Sequence, residues 1–348
     1  MAQTYHIITF GCQMNKNDSE HLAGMLEFNG AKHTAEPEAA DILVLNTCAV
    51  RDKAERRVYG QLAKYNFLRQ KNNSGQKLFL SGCMPAYNKT ELQKAAPFLD
   101  GFLDIEEARQ YPPRRENSPE VWVTIMQGCN NFCAYCIVPR ARGRERSRTA
   151  EDILAEINKI DFTGRAVLFL LGQNVNSYAG TFNGQPLSFP ALLQLILTKC
   201  PAVPKLAFLT SHPKDMTDAL LEVIAREPRI DRELHLPAQS GSDRILALMN
   251  RGYTAAQYRA LTARIRARAP DVQLSTDIIA GFPTETEAEF EDSCRLVRET
   301  GFFRVNTAGY SARRGTAAAQ MPRLEQKIVD ARLNKINQLI NSLKSAHT

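Results

Sequence analysis

The first hundred residues alternate short apolar runs with longer segments of helical periodicity. Runs that predict strands lie at 5–10, 41–45 and 77–80. Each is followed by a polar or glycine turn and then by apolar residues at helical spacing. The first helix is expected to begin near residues 17–19, which are good N-cap types, and to end at Gly30, and the second covers about 52–70. This βα order predicts an open parallel sheet.

The alternation resumes after residue 120 on a larger scale. Strands are predicted at 121–126, 166–171, 206–209, 233–236, 273–279 and 304–308. Helices are predicted at 149–160, 189–199, 216–226, 254–268, 285–299 and 324–343. Parallel strands joined by right-handed crossovers curl into an incomplete barrel. We therefore expect an α/β protein with an open parallel-sheet βα domain over 1–110, a proline-containing linker over 111–120 and a partial (β/α)6 barrel with a C-terminal helix over 121–348.

The composition indicates the cellular compartment of the protein. Apolar residues make up 44% of the 348 residues, enough for two cores. No apolar run approaches the roughly 18 residues of a membrane span, and residues 1–12 lack a cationic segment leading into a long apolar one. The sequence thus predicts a cytoplasmic protein without a membrane partner. The eight cysteines are then expected to be ligands, redox groups or buried side chains rather than disulfides.

The net charge of +7 is unevenly distributed. Residues 1–110 hold 13 basic and 13 acidic side chains, so the excess lies in 111–348. Five arginines with one acid form a tract there: Arg140, Arg142, Arg144, Arg146 and Arg148. Because arginine forks match phosphate oxygens, the tract predicts contacts with an RNA backbone. The alternative is an ordinary solvated surface.

Three cysteines, Cys129, Cys133 and Cys136, fall within one loop directly after the strand predicted at 121–126. A structural zinc site needs four ligands, and no fourth partner is close in sequence. A cubane iron–sulfur cluster held by three thiolates keeps its fourth iron open for a substrate or cofactor. Tyr135 is expected to lay its ring beside that open corner. The alternatives are a zinc site completed by a distant residue and a chance grouping of buried thiols.

A second set, Cys12, Cys48 and Cys83, is dispersed, with one cysteine at the end of each of the first three strands and separations of 36 and 35 residues. The carboxyl ends of parallel strands share one edge of the sheet, so these thiols are expected to converge. Gly11 and Gly82 would let the backbone pass close to inorganic sulfide. We infer a second three-cysteine cluster. The alternative is three buried cysteines that pack as small apolar side chains.

Polar residues and glycines follow four strands of the second domain. Besides Tyr135, the candidate cofactor contacts are Gly172, Gln173, Ser211, Gln239, Ser240, Asp277 and Gly281. Such groups can bind an amino-acid carboxylate, a ribose and an adenine edge, although each loop alone is equally consistent with turn chemistry. Asp277 lies within a strand, where a buried carboxylate needs a partner or a role. His212 and His235 are interpreted mainly as structural, and Cys200 and Cys294 as packing residues.

With these residues assembled, the chain resembles the radical S-adenosylmethionine methylthiotransferases. The matching stretches are 9–15, 18–20, 46–48, 128–136, 171–178, 235–242, 249–254 and 275–283. Residues 13–14, Val50, Arg51 and 145–148 look like the branch that acts on isopentenyladenosine in tRNA. Action on threonylcarbamoyladenosine in tRNA or on a ribosomal protein is the alternative. The resemblance implies an N-terminal methylthiotransferase domain, a radical SAM partial barrel and, beyond the position of Thr348, a TRAM-type β-barrel that is absent from this chain.

The resemblance also implies the chemistry. Cys129, Cys133 and Cys136 would hold a 4Fe–4S cluster whose free iron binds S-adenosylmethionine, and the 5′-deoxyadenosyl radical made there would take hydrogen from C2 of an N6-isopentenyladenosine beside the anticodon. The other three cysteines would hold an auxiliary 4Fe–4S cluster that carries or donates sulfur, which a second S-adenosylmethionine methylates. An electron donor and a sulfur donor are the further partners. A competing hypothesis is a non-catalytic, metal-stabilised RNA-binding protein.

Overall fold

The structure is a computed structural model that describes residues 2–49 and 52–345. Val50 and Arg51, which the sequence analysis assigns to the isopentenyladenosine branch, lie outside the described residues. The chain divides into two compact units. The first comprises Met1–Thr124 and Ile137–Arg144, and the second comprises Ile125–Cys136 and Glu145–Thr348. Within the described ranges, no helix has the length and apolarity needed to cross a membrane.

The first unit is built on a parallel sheet. The unit contains the strands β1 (Thr4–Thr9), β2 (Lys32–His33), β3 (Ile42–Thr47), β4 (Lys77–Gly82) and β5 (Gly101–Phe102), which form this sheet, and β6 (Glu120–Thr124), which lies outside it. Its helices are α1 (Gln13–Phe28), α2 (Asp52–Lys71), α3 (Cys83–Ala95), α4 (Ile105–Ala108) and α5 (Val138–Ala141). The sheet has the order β2-β1-β3-β4-β5, with every pair parallel. The open parallel sheet predicted from the sequence is confirmed.

The core of this unit lies on both faces of the sheet, as expected for parallel strands. On one face Leu43 and Leu80 pack with Leu62 of α2. On the other, Val44 packs with Leu22 of α1. Successive residues of β3 therefore point to opposite faces, and both faces are covered by helices.

Helix α1 begins earlier than the sequence suggested. The predicted start was at 17–19, but the helix begins at Gln13 with Cys12 at the N-cap. Asn17 accepts a hydrogen bond from Thr124 Oγ1 at 2.7 Å, and Asp18 forms ion pairs with two arginines. The polar residues that resemble a helix cap are thus buried and bonded to other segments of the unit, which is why their type misled the prediction.

Residues 111–120, which the sequence predicts to be a linker, contact helix α1. Arg115 Nη1 donates to Glu20 Oε2 at 2.5 Å and to the carbonyl oxygen of Trp122 at 2.6 Å. A Cβ at Gly24 would lie 1.9 Å from the carbonyl oxygen of Pro112, so the segment touches the backbone of α1. These contacts place the segment within the first unit, which extends to Thr124.

The second unit contains the larger set of βα repeats. Its strands are β7 (Met126–Gln127), β8 (Arg146–Ser147), β9 (Val167–Leu171), β10 (Ala179–Phe182), β11 (Gln185–Ser188), β12 (Leu206–Phe208), β13 (Glu233–His235), β14 (Gln273–Ala280) and β15 (Arg304–Gly309). Its helices are α6 (Ala150–Ile157), α7 (Phe189–Lys199), α8 (Asp218–Arg226), α9 (Asp243–Leu248), α10 (Ala255–Arg268), α11 (Glu287–Thr300) and α12 (Gln326–Ser345).

The parallel strands of this unit form two sets of ladders that an isolated bridge connects. Strand β12 pairs with β9, and β14 pairs with β13 and β15, all in parallel. The two sets are joined through Leu206, whose N–H donates to the carbonyl of Arg229 at 2.8 Å and whose carbonyl accepts from Asp231 at 2.8 Å. The partial barrel predicted from the sequence is confirmed. The strand predicted at 121–126 is interrupted at Ile125, between β6 and β7.

Helix starts in this unit agree with the sequence because they are capped locally. Side-chain oxygens of Thr149, Thr217, Thr254 and Thr286 each accept from a backbone amide three residues later. The antiparallel hairpin of β10 and β11 was not predicted. Its turn contains Asn183 and Gly184, both with positive φ, a pair that signals a tight hairpin turn and was available in the sequence.

Candidate cluster sites and cofactor pocket

The loop at 128–136, which carries the contiguous cysteine trio, leaves the sheet through a short hairpin. Met126 pairs with Ser147 and Gln127 with Arg146 in the antiparallel β7–β8 ladder. Gln173 Oε1 accepts from the N–H of Gly128 at 2.5 Å. Gln173, which the sequence predicts to contact a cofactor, thus fixes the entrance to the loop.

Two side chains outside the loop hold its middle part. Glu145 accepts from the N–H of Asn130 at 3.3 Å, and its Oε1 also accepts from Ser177 Oγ at 2.9 Å. Asn250 Nδ2 donates to the carbonyl oxygens at 131 and 132, each at 3.1 Å. Phe132 has a φ of +47°, a left-handed conformation that is uncommon for a bulky residue. The loop conformation is therefore imposed by the surrounding barrel.

The trio on this loop has the donor chemistry of an iron–sulfur site. Cys129 is buried, Cys133 and Cys136 are half-buried, and none of the three is in a disulfide. Burial raises the pKa of Cys129, whereas the N–H of Asn131, 3.5 Å from its sulfur, opposes the rise. Arg251 Nη1 donates to Cys133 Sγ at 3.4 Å. Three thiolates beside a cationic N–H donor fit a 4Fe–4S cluster, whose sulfurs accept such hydrogen bonds.

The arrangement differs from a single-ion site. Among residues 2–49 and 52–345, no three His, Cys, Asp or Glu side chains are grouped closely enough to hold one metal ion. A cubane cluster places four irons between its thiolates, so its ligands stand further apart than those of a zinc ion.

Arg251 is the central residue of this site, and the sequence analysis gave it no role. It is 5% exposed, and its other N–H groups donate to the carbonyl of Pro237 at 2.9 Å and to Tyr253 Oη at 3.0 Å. Nη1 also lies 3.5 Å from Tyr135 Oη. Within the part of the chain that the structure describes, the groups that accept from Arg251 are carbonyl, phenol and thiol groups rather than carboxylates. This buried cation therefore favours a negatively charged ligand set.

Loops at the carboxyl ends of β9, β12 and β13 contain polar atoms that are ready for a ligand. Within the described residues, the buried side-chain atoms that have no hydrogen-bond partner include Asn174 Oδ1, Ser211 Oγ, His212 Nε2 and Gln239 Oε1 in these loops. Thr210 and Gln239 have φ values of +69° and +71°, strained for residues other than glycine. Unsatisfied buried groups are costly, so these loops fit a polar cofactor that supplies the missing partners. Ser211 and Gln239 were predicted as cofactor contacts, whereas Asn174 was not singled out.

His212 is held neutral in this pocket. Burial, together with the charges of Arg251 and Lys214, lowers the pKa of His212 to about 2. Its Nδ1 accepts from the N–H of Lys214 at 3.3 Å, which leaves Nε2 as the N–H donor. The ring meets Tyr253 edge-on, with centroids 5.7 Å apart. His212 can therefore donate a hydrogen bond but does not carry charge at neutral pH.

Three other predicted contacts serve the packing of the unit. A Cβ at Gly172 would lie 2.5 Å from Met126 Cγ, and one at Gly281 would lie 2.6 Å from Val329 Cγ2. Ser240 Oγ lies 3.3 Å from Ser293 Oγ and accepts from the N–H of Ser242 at 3.2 Å. These positions account for Gly172, Gly281 and Ser240 without a cofactor and do not favour the predicted contacts.

Tyr135 packs against apolar side chains, whereas Asp277 is bonded to polar ones. Tyr135 packs beside Ile245 and Met249, and burial raises the pKa of its phenol. Asp277 Oδ2 lies 3.1 Å from His235 Nε2, and Oδ1 accepts from Asn306 Nδ2 at 3.0 Å. Asp277 thus has the partner that the sequence analysis required of a strand carboxylate.

The dispersed trio of the first unit follows three neighbouring strands. Cys12, Cys48 and Cys83 come directly after the β1, β3 and β4 region of the sheet, where β3 lies between the other two. A Cβ at Gly11 would lie 2.9 Å from Cys48 Cβ, so the first and second loops are in contact. Burial raises the pKa of Cys83, and the Cys12 thiol adds to this rise. The three strand ends therefore bring the cysteines to one edge of the sheet.

A hydrogen-bond network ties these loops together. Asn46 Nδ2 donates to the carbonyl of Asn15 at 2.7 Å, and Asn15 Nδ2 donates to that of Thr47 at 3.0 Å. Thr47 Oγ1 donates to the carbonyl of Ser81 at 2.6 Å and accepts from the N–H of Met84 at 3.3 Å. The donor set again consists of thiols at fixed loops, which fits a cluster.

The arginine tract divides into separate groups. Arg140, Arg144 and Arg146 are exposed, as the predicted RNA contacts require. Arg148 Nη1 forms an ion pair with Glu156 at 2.6 Å. Arg142 is the exception, because its side chain is only 8% exposed and pairs with Asp18 inside the first unit. This position does not favour the RNA contact predicted for Arg142.

Two family models match the chain. Residues 4–104 match the uncharacterized protein family UPF0004, and residues 123–297 match the radical SAM superfamily. The fold, the cysteine loop and these matches define a radical SAM protein. A relative from Dictyoglomus thermophilum is 42% identical, covering 90% of this chain and 77% of its own length. One from Carboxydothermus hydrogenoformans is 39% identical, with 98% and 84% covered. Both are named tRNA-2-methylthio-N(6)-dimethylallyladenosine synthase, and the chain belongs to this family.

Solved structures support the fold alone. The cobalamin- and [4Fe-4S]-bound radical S-adenosylmethionine methyltransferase TsrM from Kitasatospora setae is 11% identical, with a TM-score of 0.67, and the match covers 92% of this chain and 77% of that chain. The cobalamin-dependent radical enzyme OxsB is also 11% identical, with a TM-score of 0.57, and the match covers 98% of this chain and 56% of that one.

Proposed function

We propose that the chain is a tRNA methylthiotransferase that converts N6-isopentenyladenosine beside the anticodon to its 2-methylthio derivative. Its cofactors are S-adenosylmethionine and two 4Fe–4S clusters. The observation that carries the proposal is the presence of two cysteine trios, one on each unit, with an arginine N–H on one sulfur of each trio. The name shared by the relatives supplies the substrate class.

In this proposal Cys129, Cys133 and Cys136 hold the radical cluster. When bound, the cluster and S-adenosylmethionine supply the electron and the carbon radical that activate an aryl C–H bond. The chain positions these groups. Asn250 keeps the loop in shape, Arg251 compensates negative charge at the thiolates, and the buried polar atoms after β9, β12 and β13 bind the polar parts of the cofactor.

Cys12, Cys48 and Cys83 hold the auxiliary cluster, which takes part in sulfur insertion. The network of Asn15, Asn46 and Thr47 keeps their loops at fixed distances. The reaction adds sulfur and consumes electrons, so a sulfur donor and an electron donor are required partners.

The exposed members of the arginine tract, Arg140, Arg144 and Arg146, bind the tRNA backbone. Such contacts release counterions, so tRNA affinity should fall with salt concentration. Because tRNA is modified where it is used, we place the reaction in the cytoplasm.

The test is an anaerobic reaction of the reconstituted protein with isopentenylated tRNA, S-adenosylmethionine and a reductant, followed by mass spectrometry of the tRNA nucleosides. The 2-methylthio product should appear with the parent protein and be absent from a variant with Cys129, Cys133 and Cys136 replaced by alanine. Product on threonylcarbamoyladenosine or on a ribosomal protein instead would move the chain to another branch. A colourless zinc protein without turnover would favour the metal-stabilised RNA binder.

A further inference from the structure

A buried arginine contacts the dispersed trio directly. Arg142 Nε donates to Cys83 Sγ at 3.2 Å. The Arg142 side chain is 8% exposed, and Arg142 is the C-cap residue of α5. Cys83 itself is buried in an apolar group with Ala49, Ile137 and Ala141. The contact is made within the first unit.

The orientation of this guanidinium is fixed by a second charge. Asp18 Oδ2 accepts from Arg142 Nη2 at 2.6 Å, and Asp18 Oδ1 accepts from Arg109 Nη2 at 2.5 Å. The Asp18 side chain is fully buried. Burial alone would favour the neutral acid, but the two arginines lower the pKa of Asp18, so it is ionised. The carboxylate holds two arginines, and one of them presents Nε to sulfur.

The charges of this group do not cancel. Two guanidinium groups and one carboxylate leave one positive charge next to Cys83. An excess charge in a buried site is costly unless an anion compensates it. A cluster thiolate at Cys83 supplies that negative charge, whereas a neutral thiol does not.

We propose that Arg142 is a positioning residue of the auxiliary cluster. Arg142 holds Cys83 in place as a cluster ligand, and its N–H···S hydrogen bond raises the reduction potential of the cluster. The proposal rests on the function proposed above, in which Cys12, Cys48 and Cys83 bind that cluster. Hydrogen bonds and positive charge at cluster sulfurs favour the reduced state, which carries one more negative charge.

The test uses the full chain with Cys129, Cys133 and Cys136 replaced by alanine, so that iron reports on the dispersed trio. This parent is reconstituted with iron and sulfide and compared with Arg142→Gln. We expect the midpoint potential of Arg142→Gln, measured by a redox titration followed by electron paramagnetic resonance, to shift to a more negative value. Loss of a hydrogen bond to a charged group should make chelator extraction of iron about tenfold faster.

Two further variants separate this role from folding. Arg142→Lys keeps the charge but not the fork, and should give a potential between those of the parent and Arg142→Gln. Arg140→Gln removes the same charge from an exposed side chain of α5, two residues before Arg142, and should leave the potential unchanged.

The outcomes distinguish failure of the auxiliary cluster assignment from failure of the role proposed for Arg142. A parent that binds no iron would overturn the auxiliary cluster and the role of Arg142 with it. A parent with a full cluster whose potential and chelator resistance are the same in Arg142→Gln and Arg142→Lys would overturn the role of Arg142 alone. If Arg142→Gln fails to fold, the midpoint potential of Arg142→Lys is compared with that of the parent. An equal potential counts against the role proposed for Arg142, and a more negative potential supports it.

Discussion

Cys129, Cys133 and Cys136 lie within eight residues of one loop, whereas Cys12, Cys48 and Cys83 span 72 residues and are collected by three strands. The contiguous trio depends on anchors from outside its loop, such as Asn250, because a loop alone does not fix three side chains. The dispersed trio depends on the register of the sheet. Two sets of three cysteines are thus assembled by different parts of the fold. Loss of a loop anchor should disrupt the contiguous trio, and a change in sheet register should disrupt the dispersed trio.

The two arginines beside the sulfurs differ in their charge balance. Arg142 shares the carboxylate of Asp18 with Arg109, so its orientation is set before any cluster binds. Arg251 donates to Pro237, Tyr253 and Cys133, which are neutral groups when the thiol is protonated. A negative charge at Cys133 should therefore stabilise buried Arg251 more than a negative charge at Cys83 stabilises Arg142.

The largest effect is expected from removing one whole trio at a time. Alanine at positions 129, 133 and 136 should halve the iron content and abolish cleavage of S-adenosylmethionine. Alanine at positions 12, 48 and 83 should also halve the iron but leave cleavage, while no methylthio product forms. Iron analysis and chromatography of 5′-deoxyadenosine measure both.

Cys200→Ala is the matched control, since Cys200 is a buried cysteine at a helix end that belongs to neither trio, and this variant should keep the iron and the activity. Full cleavage by the variant at positions 129, 133 and 136 would contradict the assignment of that trio. Loss of cleavage in both trio variants would remove the functional distinction between them.

The second effect concerns Arg251. Arg251→Gln removes the cationic donor to Cys133 while its length is nearly kept, and S-adenosylmethionine cleavage should fall by about 10- to 100-fold, the equivalent of one hydrogen bond to a charged group. Arg251→Lys should lose less, because it keeps the charge. The measurement is the single-turnover rate of cleavage at saturating cofactor, with iron content checked for each variant. Equal rates for the parent and Arg251→Gln would show that the contact has no role in the reaction.

The third effect tests the charge balance of the first unit. Asp18→Asn leaves Arg109 and Arg142 buried without their carboxylate, and should lower the free energy of unfolding by about 3–5 kcal/mol. Because the pKa of Asp18 is lower when folded than when unfolded, its contribution is present above the unfolded value of 3.8 and is lost as the pH falls through the folded value. Urea unfolding at several pH values measures this. A loss below 1 kcal/mol would contradict the buried-pair argument.

The strand ends of the dispersed trio were predictable because the apolar runs, the glycines and the near-equal separations all indicate the same βα repeat. The start of α1 was not, because Asn17 and Asp18 are typical capping residues whose partners Thr124 and Arg142 are distant in sequence. Such long-range bonds leave no local pattern. The contacts of residues 111–120 were not predictable for the same reason, since Arg115 has its partner on α1.

The candidate cofactor residues show a similar limit. A polar residue after a strand can face a ligand or the protein, and spacing does not distinguish Ser211, whose hydroxyl is unsatisfied, from Ser240, which bonds Ser293. Arg251 was missed because a single arginine carries no periodic signal. Its position within the matching stretch at 249–254 was the only sequence indication available.

The smallest effect contrasts Asp18 with Glu285, a buried acid of the second unit. Burial raises the pKa of Glu285 to about 7, although the Gly281 amide and Arg332 oppose the rise. The unfolded side chain, with a value of 4.5, loses its proton first, so stability should be full below pH 4.5 and fall as the pH rises through 7, by about 3 kcal/mol in total. Glu285→Gln, which cannot ionise, should lack this dependence in urea unfolding between pH 4.5 and 8. A wild type whose stability rises over that interval relative to that of Glu285→Gln would mean that Arg332 outweighs burial and that the two acids behave alike, and equal pH dependence in the two proteins would mean that the pKa of Glu285 is not shifted.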